Sequence, residues 1–176
     1  MVLLGNVWYA LLALGLWQIR PYLNVQPALG DCILQTARYL EVRANFYTPG
    51  VNVTDNYKAV LEQQVTVNEK QENVRELLLK RRSSHQGTTS INKSMVLIFL
   101  DVVDLQEQIM ASQTDYNALH EDFKDQEILE KFHALILEFA EEIRAIGMAV
   151  SSGQRSLPKA NLKYDTEKVK QAIAGI

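Results

Sequence analysis

No residue from Met1 to Ile19 carries a charged side chain, and no other feature limits the fold of this chain so strongly. The stretch GNVWYALLALGLWQIRPY, Gly5 to Tyr22, admits three readings. A secretory signal wants basic residues ahead of its apolar run and a small-residue cleavage site; Met1 to Ile19 has no basic residue. A buried helix of a soluble protein usually keeps a polar stripe, whereas only Asn6 and Gln18 interrupt this run. A membrane helix needs about 20 apolar residues, so the segment meets the lower limit of a span, with the chain beginning inside it. The flank favours the membrane. Trp17, Arg20 and Tyr22 are the aromatic and cationic types that settle at a bilayer interface, and Pro21 stops the helix. A cation just past the span puts the rest of the chain on the cytoplasmic side. The expected organisation is the end of a transmembrane helix over residues 1–20 and a cytoplasmic helical-bundle domain over residues 21–176.

A chain of 176 residues suits one domain and one appendage. The net charge of -3 offers no basic field for nucleic acid, and an apolar fraction of 47% excludes wholesale disorder. Charge is unevenly distributed: Asp104 to Glu142 holds eleven acids against Lys124 and Lys131. Cys32 is the single cysteine, which rules out an internal disulfide and a cysteine metal cluster.

Beyond Pro21 the pattern is helical, without the alternation of strands, and predicts an all-α fold. A first helix is expected over Pro27 to Phe46, with Leu29, Ile33, Thr36, Leu40 and Ala44 inward, ending at Thr48-Pro49-Gly50. A second begins after Thr54 or Asp55, either of which can cap it, and runs to Arg82 with Tyr57, Val60, Leu61, Gln64, Val67, Val74 and Leu78 inward. SSHQGTTS, Ser83 to Ser90, is a loop. The third helix, from Ser90 or Asn92, carries the apolar run MVLIFL. Met95, Ile98, Phe99, Val102, Leu105 and Ile109 share one face, and Val96, Leu100 and Val103 widen it, as befits a central helix with several neighbours. After a connector with a helical turn near Tyr116 to Phe123, a fourth helix spans Asp125 to Val150, with Ile128, Phe132, Leu135, Ile136, Phe139, Ile143 and Ile146 inward. A short amphipathic helix closes the chain from Asp165 to Ile176. Short connections join four long helices into an antiparallel bundle.

Chemistry is sparse. Glu130-x-x-His133 has the spacing of di-iron carboxylate helices, but that site needs two such elements and further glutamates; a solvated charged pair is the simpler reading. In His120-Glu121-Asp122, adjacent side chains point in different directions. Asp101 and Asp104 interrupt the third helix on one side, and Arg38, Arg43 and Arg75 on neighbouring helices are candidate partners in structural ion pairs. Lys80-Arg81-Arg82 with Lys93 beyond the loop is the compact basic cluster. It suits anionic lipid headgroups and, equally, the C-terminal dipole of a helix. The chain has neither P-loop spacing nor a recognisable nucleophile motif, so no catalytic residue, metal or cofactor is expected.

Several stretches together carry a resemblance: WYALLALGLWQIRPYLNVQPALGDC from Trp8 to Cys32, RANFY from Arg43 to Tyr47 with Pro49 after it, ELLLKRR, and LIFLDVVDLQEQIMAS. In that order they resemble the YccS/YhfK branch of the fusaric-acid-resistance-like (FUSC) family of bacterial inner-membrane proteins, over nearly the whole chain. The resemblance implies the end of a first membrane half followed by a cytoplasmic helical domain, within a multi-span exporter of small toxic or aromatic acids. It supplies no catalytic motif. It implies that this chain, with at most one span, is a fragment whose permeation pathway lies elsewhere.

These features leave two functional classes. One is a non-catalytic, membrane-proximal bundle of an inner-membrane exporter, acting as a structural, oligomerisation or regulatory element. Its partners would be the lipid bilayer, the remaining membrane halves of the same polypeptide and a second copy in a homo-oligomer, with no nucleic acid. The other is a self-contained soluble bundle that binds a partner helix or a small apolar ligand.

Overall fold

The computed structural model describes residues 22–83, 90–112, 114–123 and 126–154. The expected membrane helix over residues 1–20 and the expected closing helix over residues 165–176 lie outside the described residues. Among the described residues the elements are all helical, in the order α1 (Tyr22–Ala44), a 3-10 turn (Asn45–Tyr47), α2 (Val53–Ser83), α3 (Ser90–Ala111), α4 (Tyr116–Asp122) and α5 (Gln126–Ser152).

Local chemistry sets the ends of these helices. α1 is already helical at Tyr22, five residues before the expected Pro27, and carries that proline inside it, where the missing N–H forfeits one hydrogen bond. The 3-10 turn tightens the exit, with Thr48 N–H donating to Asn45 O at 3.1 Å, and Gly50 at φ 73° completes the reversal. Neither Thr54 nor Asp55 caps α2. That role belongs to Asn52, whose Oδ1 accepts from the N–H groups of Thr54 and Asp55 at 3.1 and 3.3 Å. Asp115 caps α4 in the same manner, accepting from Asn117 and Ala118 N–H at 3.1 Å. α5 closes in a Schellman turn: Gln154 N–H donates to Ala149 O and Gly153 N–H to Val150 O, with Gly153 at φ 69°.

α1, and not the more apolar α3, is the central helix. It packs antiparallel along both α5 and α2. Gln26 Nε2 donates to Val150 O at 3.0 Å, and Glu41, close to the Ala44 end of α1, meets Arg144 of α5. Along α2, Lys70 pairs with Asp31 at 2.7 Å and Gln63 Nε2 donates to Gln35 Oε1 at 2.9 Å. Leu29, Ala37 and Ala44 are fully buried. One core cluster joins Val25, Leu29 and Ile33 of α1 to Val74 of α2 and to Met95 and Phe99 of α3. A second, at the opposite end, gathers Tyr39, Phe46, Val60, Val67 and Tyr116.

Small residues let α1 and α5 come together. Gly30, Ala37 and Ala44 recur at every seventh position of α1, as do Ala140 and Gly147 on α5, and all five are buried. A Cβ on Gly30 would stand 2.8 Å from the Gly147 carbonyl oxygen, and one on Gly147 would stand 3.1 Å from the Gly30 carbonyl. The two backbones are in direct contact there. A seven-residue repeat of small residues keeps such a seam facing its partner along both helices.

This seam corrects several expected faces. Phe139 and Ile146, expected to point inward on α5, are exposed, while Leu129, Ala140 and Gly147 are buried. On α2, Tyr57 and Leu61 are exposed, and Asn56, Val60, Val67, Gln71 and Val74 form the buried line. On α3, Met95, Phe99 and Val102 are buried as expected, but the next buried position is Gln106, not Leu105 or Ile109. Val96, Leu97 and Leu100 face outward, Leu97 at 61% exposure.

Gly30→Ala is expected to cost about 1–2 kcal/mol through overpacking, although alanine's helix propensity alone would add about 1 kcal/mol of stability. Chemical denaturation of the chain and its variant measures this. A stabilised variant would mean that the two backbones do not touch.

Candidate functional site

The densest group of polar and aromatic side chains lies where α1 ends and α3 passes into α4. Arg43, in the last turn of α1, reaches across to the end of α3, which like every helix leaves its final carbonyls without partners. Its Nη1 donates to Ile109 O, and its Nη2 donates to Ser112 O at 2.7 Å and to the Tyr116 hydroxyl at 3.0 Å. One guanidinium thereby ties α1 to the end of α3 and the start of α4, with its positive charge at the negative pole of α3. Burial works against that charge, but the hydrogen bond to Tyr116 and the neighbouring Tyr39 more than offset it, and the Arg43 pKa is raised.

Aromatic rings surround this node. Tyr116, almost fully buried, stacks on Phe46 with centroids 4.0 Å apart and planes 6° from parallel. Tyr47 meets Tyr116 edge-on at 5.7 Å and lies 5.7 Å from Phe132 of α5. Burial, with Tyr116 adding to it, raises the Tyr47 pKa. Beside the cluster opens a groove of about 490 Å³ whose walls include Tyr39, Arg43, Tyr57, Leu61, Met110 and Asp115. A neighbouring hollow of about 400 Å³ is bordered by His120, Glu121 and the Pro49-Gly50 turn. His120 Nε2 donates to the Phe46 carbonyl at 2.7 Å, so this histidine fastens α4 to the turn after α1. His120, Glu121 and Asp122 thus sit on the short α4, where only His120 turns partly inward.

The proposed acid–arginine grouping is not assembled. Asp101 and Asp104 are both exposed on α3. Arg38 pairs with Glu41 at 3.0 Å, Arg75 pairs with Glu72 on its own helix, and Arg43 serves carbonyls and a phenol. Ion pairs between helices form instead at Lys70 with Asp31 and at Glu41 with Arg144, which also binds Glu141 at 2.6 Å. Glu41 is the least exposed of these groups, its side chain 15% accessible between two arginines. Trp17 and Arg20 lie outside the described residues, and Tyr22 enters only as the first residue of α1. Glu130 is exposed and His133 half-buried, and among the described residues no group of three or more His, Cys, Asp or Glu is placed to hold a metal ion. Cys32 is free and buried; burial and the nearby Asp31, opposed by Lys70, push its thiol pKa up to about 11.

A family model described as FUSC-like inner membrane protein yccS matches residues 1–176. The chain is similar to the inner membrane protein YccS of Escherichia coli K12, at 27% identity over 143 residues, which is 77% of this chain and 19% of that protein. The chain therefore spans about a fifth of the length of this relative. No solved structure matches.

Arg43→Ala is expected to lose about 1–3 kcal/mol, because it takes the hydrogen-bond partner from the buried Tyr116 phenol and the cation from the end of α3. The double variant Asp101→Asn/Asp104→Asn should stay within about 0.5 kcal/mol of the parent. Urea titrations compare them directly, and equal losses would refute the assignment of Arg43 as the tie. Cys32 supplies a pH test. Its folded pKa of about 11 lies above the ordinary 9.0. The unfolded state therefore gives up this proton first as pH rises, so stability should fall between about pH 9 and pH 11. A Cys32→Ala variant should lose that part of the decline.

Proposed function

The chain belongs to the FUSC-like inner membrane protein family, and from that membership we propose that residues 21–176 form a cytoplasmic, non-catalytic helical domain of an exporter of small toxic or aromatic acids. Residues 1–20 would join this domain to the preceding membrane half. Like its family, the protein is a bacterial inner-membrane protein. The observation that carries the reading is the match across all of residues 1–176, in which the charge-free opening and the helical bundle fall within one family unit.

The geometry supports a domain that acts through packing and movement. Arg43, Glu41 and Arg144 are spent on holding helices to one another. No helix of the described residues is long and apolar enough to cross a membrane, so a pore built from membrane helices would come from other parts of the polypeptide. The domain would then link the two membrane halves, support contact between copies, or regulate access to the pathway.

The test is made in cells that carry the full-length gene. Removing residues 53–152 should leave the protein in the membrane fraction while tolerance of added aromatic carboxylic acids falls to that of a strain lacking the gene. Replacing Glu130 and His133 by alanine should leave tolerance intact, as a domain without catalytic groups requires. Full tolerance after the deletion would refute a role in export.

A further inference from the structure

The bundle has two unlike ends, and the one at which the chain enters α1 carries a combination the proposed function does not use. The α1–α2 register is set by Asp31 with Lys70 and Gln35 with Gln63. Continued along the two antiparallel helices, it brings residues 76–79 level with Tyr22. Lys80, Arg81 and Arg82 therefore extend α2 about one turn beyond the start of α1. α3 begins at this same end, since its Met95 and Phe99 share a core cluster with Val25 and Leu29.

The outward face of α3 then takes on a second character. Met95, Phe99 and Val102 are buried, while Leu97 and Leu100, at 61% and 50% exposure, point away from the bundle. Lys93, one turn before Leu97, is also exposed. Two exposed leucines beside a lysine, next to a helix end with three further cations, match the make-up of helices that lie in the headgroup layer. We propose that this end of the bundle, Lys80 to Arg82 of α2 with Lys93, Leu97 and Leu100 of α3, rests on the surface of a bilayer containing anionic lipid.

Charge fixes both the partner and the limit of contact. Near an anionic surface each cation strengthens binding about fivefold. Glu76, which pairs with Lys80 at 3.1 Å, offsets part of this locally. Asp101, the residue after Leu100, and Asp104, one turn past it, are both exposed and would be repelled. Only the first turns of α3 therefore meet the headgroups, and the rest of the helix is held clear. The far end carries six acids, Asp55, Asp115, Glu121, Asp122, Glu127 and Glu130, against the cations Arg43, Lys58 and Lys131, which favours one orientation over its reverse.

This inference rests on the membrane attachment proposed above, and the experiment reads the two separately. The complete 176-residue chain is given Leu97→Cys and labelled there with an environment-sensitive fluorophore, Cys32 being buried and protonated at neutral pH. It is then mixed with phosphatidylcholine vesicles with or without about one-third phosphatidylglycerol. The chain should float with both vesicles, and the Leu97 label should move to an apolar environment only with the anionic ones. A label at Asp122→Cys should not respond. Replacing Lys80, Arg81, Arg82 and Lys93 by glutamine should abolish the Leu97 response. Should that variant fail to fold, raising salt from about 0.1 to 0.5 M should weaken the response of the parent. Flotation with a silent Leu97 label overturns this inference and leaves the attachment standing. A response that grows with protein concentration in both vesicles assigns the face to a second copy and overturns the lipid contact. A chain that floats with neither vesicle overturns the attachment and the inference together.

Discussion

Everything in this bundle is arranged around one close approach, where the backbones of α1 and α5 touch at Gly30 and Gly147. Helices that pack through large side chains stay about 8–10 Å apart. Glycine and alanine on both sides bring these two nearer and make α1 the axis of the domain. α5 is drawn onto α1 by small residues, and α2 covers the flank with Val60, Val67 and Val74. What remains for α3 is the end of α1 that carries Val25, Leu29 and Ile33. The most apolar helix among those described is consequently covered on one side alone, and its outward leucines are a result of the seam elsewhere.

Polar groups reinforce the same arrangement. Arg144, one turn from Gly147, reaches Glu41 further along α1, so the seam is fastened by charge as well as by shape. Arg43 fastens α1 to α3 where apolar cover runs out, and it does so through carbonyls that a helix end would otherwise leave open. A guanidinium suits this task because its donors fan out in a plane and reach several acceptors at once.

Much of this could be read from the chain before any fold was known, and the remainder could not, for definite reasons. Helix existence and approximate limits came from the 3.6-residue period and from breakers such as Pro49-Gly50. The direction of each face was harder. Phe139 and Ile146 outrank Ala140 and Gly147 on any scale of hydrophobicity, so a stripe drawn by apolar size turns α5 the wrong way. The seven-residue spacing of Gly30, Ala37 and Ala44 was the available signal, and it records closeness instead of greasiness. Arg43 stands out in the sequence as a candidate partner for Asp101 and Asp104, whereas in the structure it serves carbonyls and a phenol. Carboxylates stand out in a sequence, whereas the carbonyls of Ile109 and Ser112 are invisible there, since every residue has one. Tyr116 gave no pattern of its own: its role depends on Phe46, about seventy positions away.

α1 has no break at Pro27 and is clasped on two sides, which makes it a stiff rod about 30 Å long between Tyr22 and Arg43. A rod of that kind does not absorb a tilt imposed at its entrance; it delivers it, by leverage, to the guanidinium at its tip. There the displacement would pull on the last turn of α3 and on the stacked Phe46 and Tyr116 rings. The domain thereby contains a mechanical linkage from its point of entry to its most distant corner, built from a single uninterrupted helix.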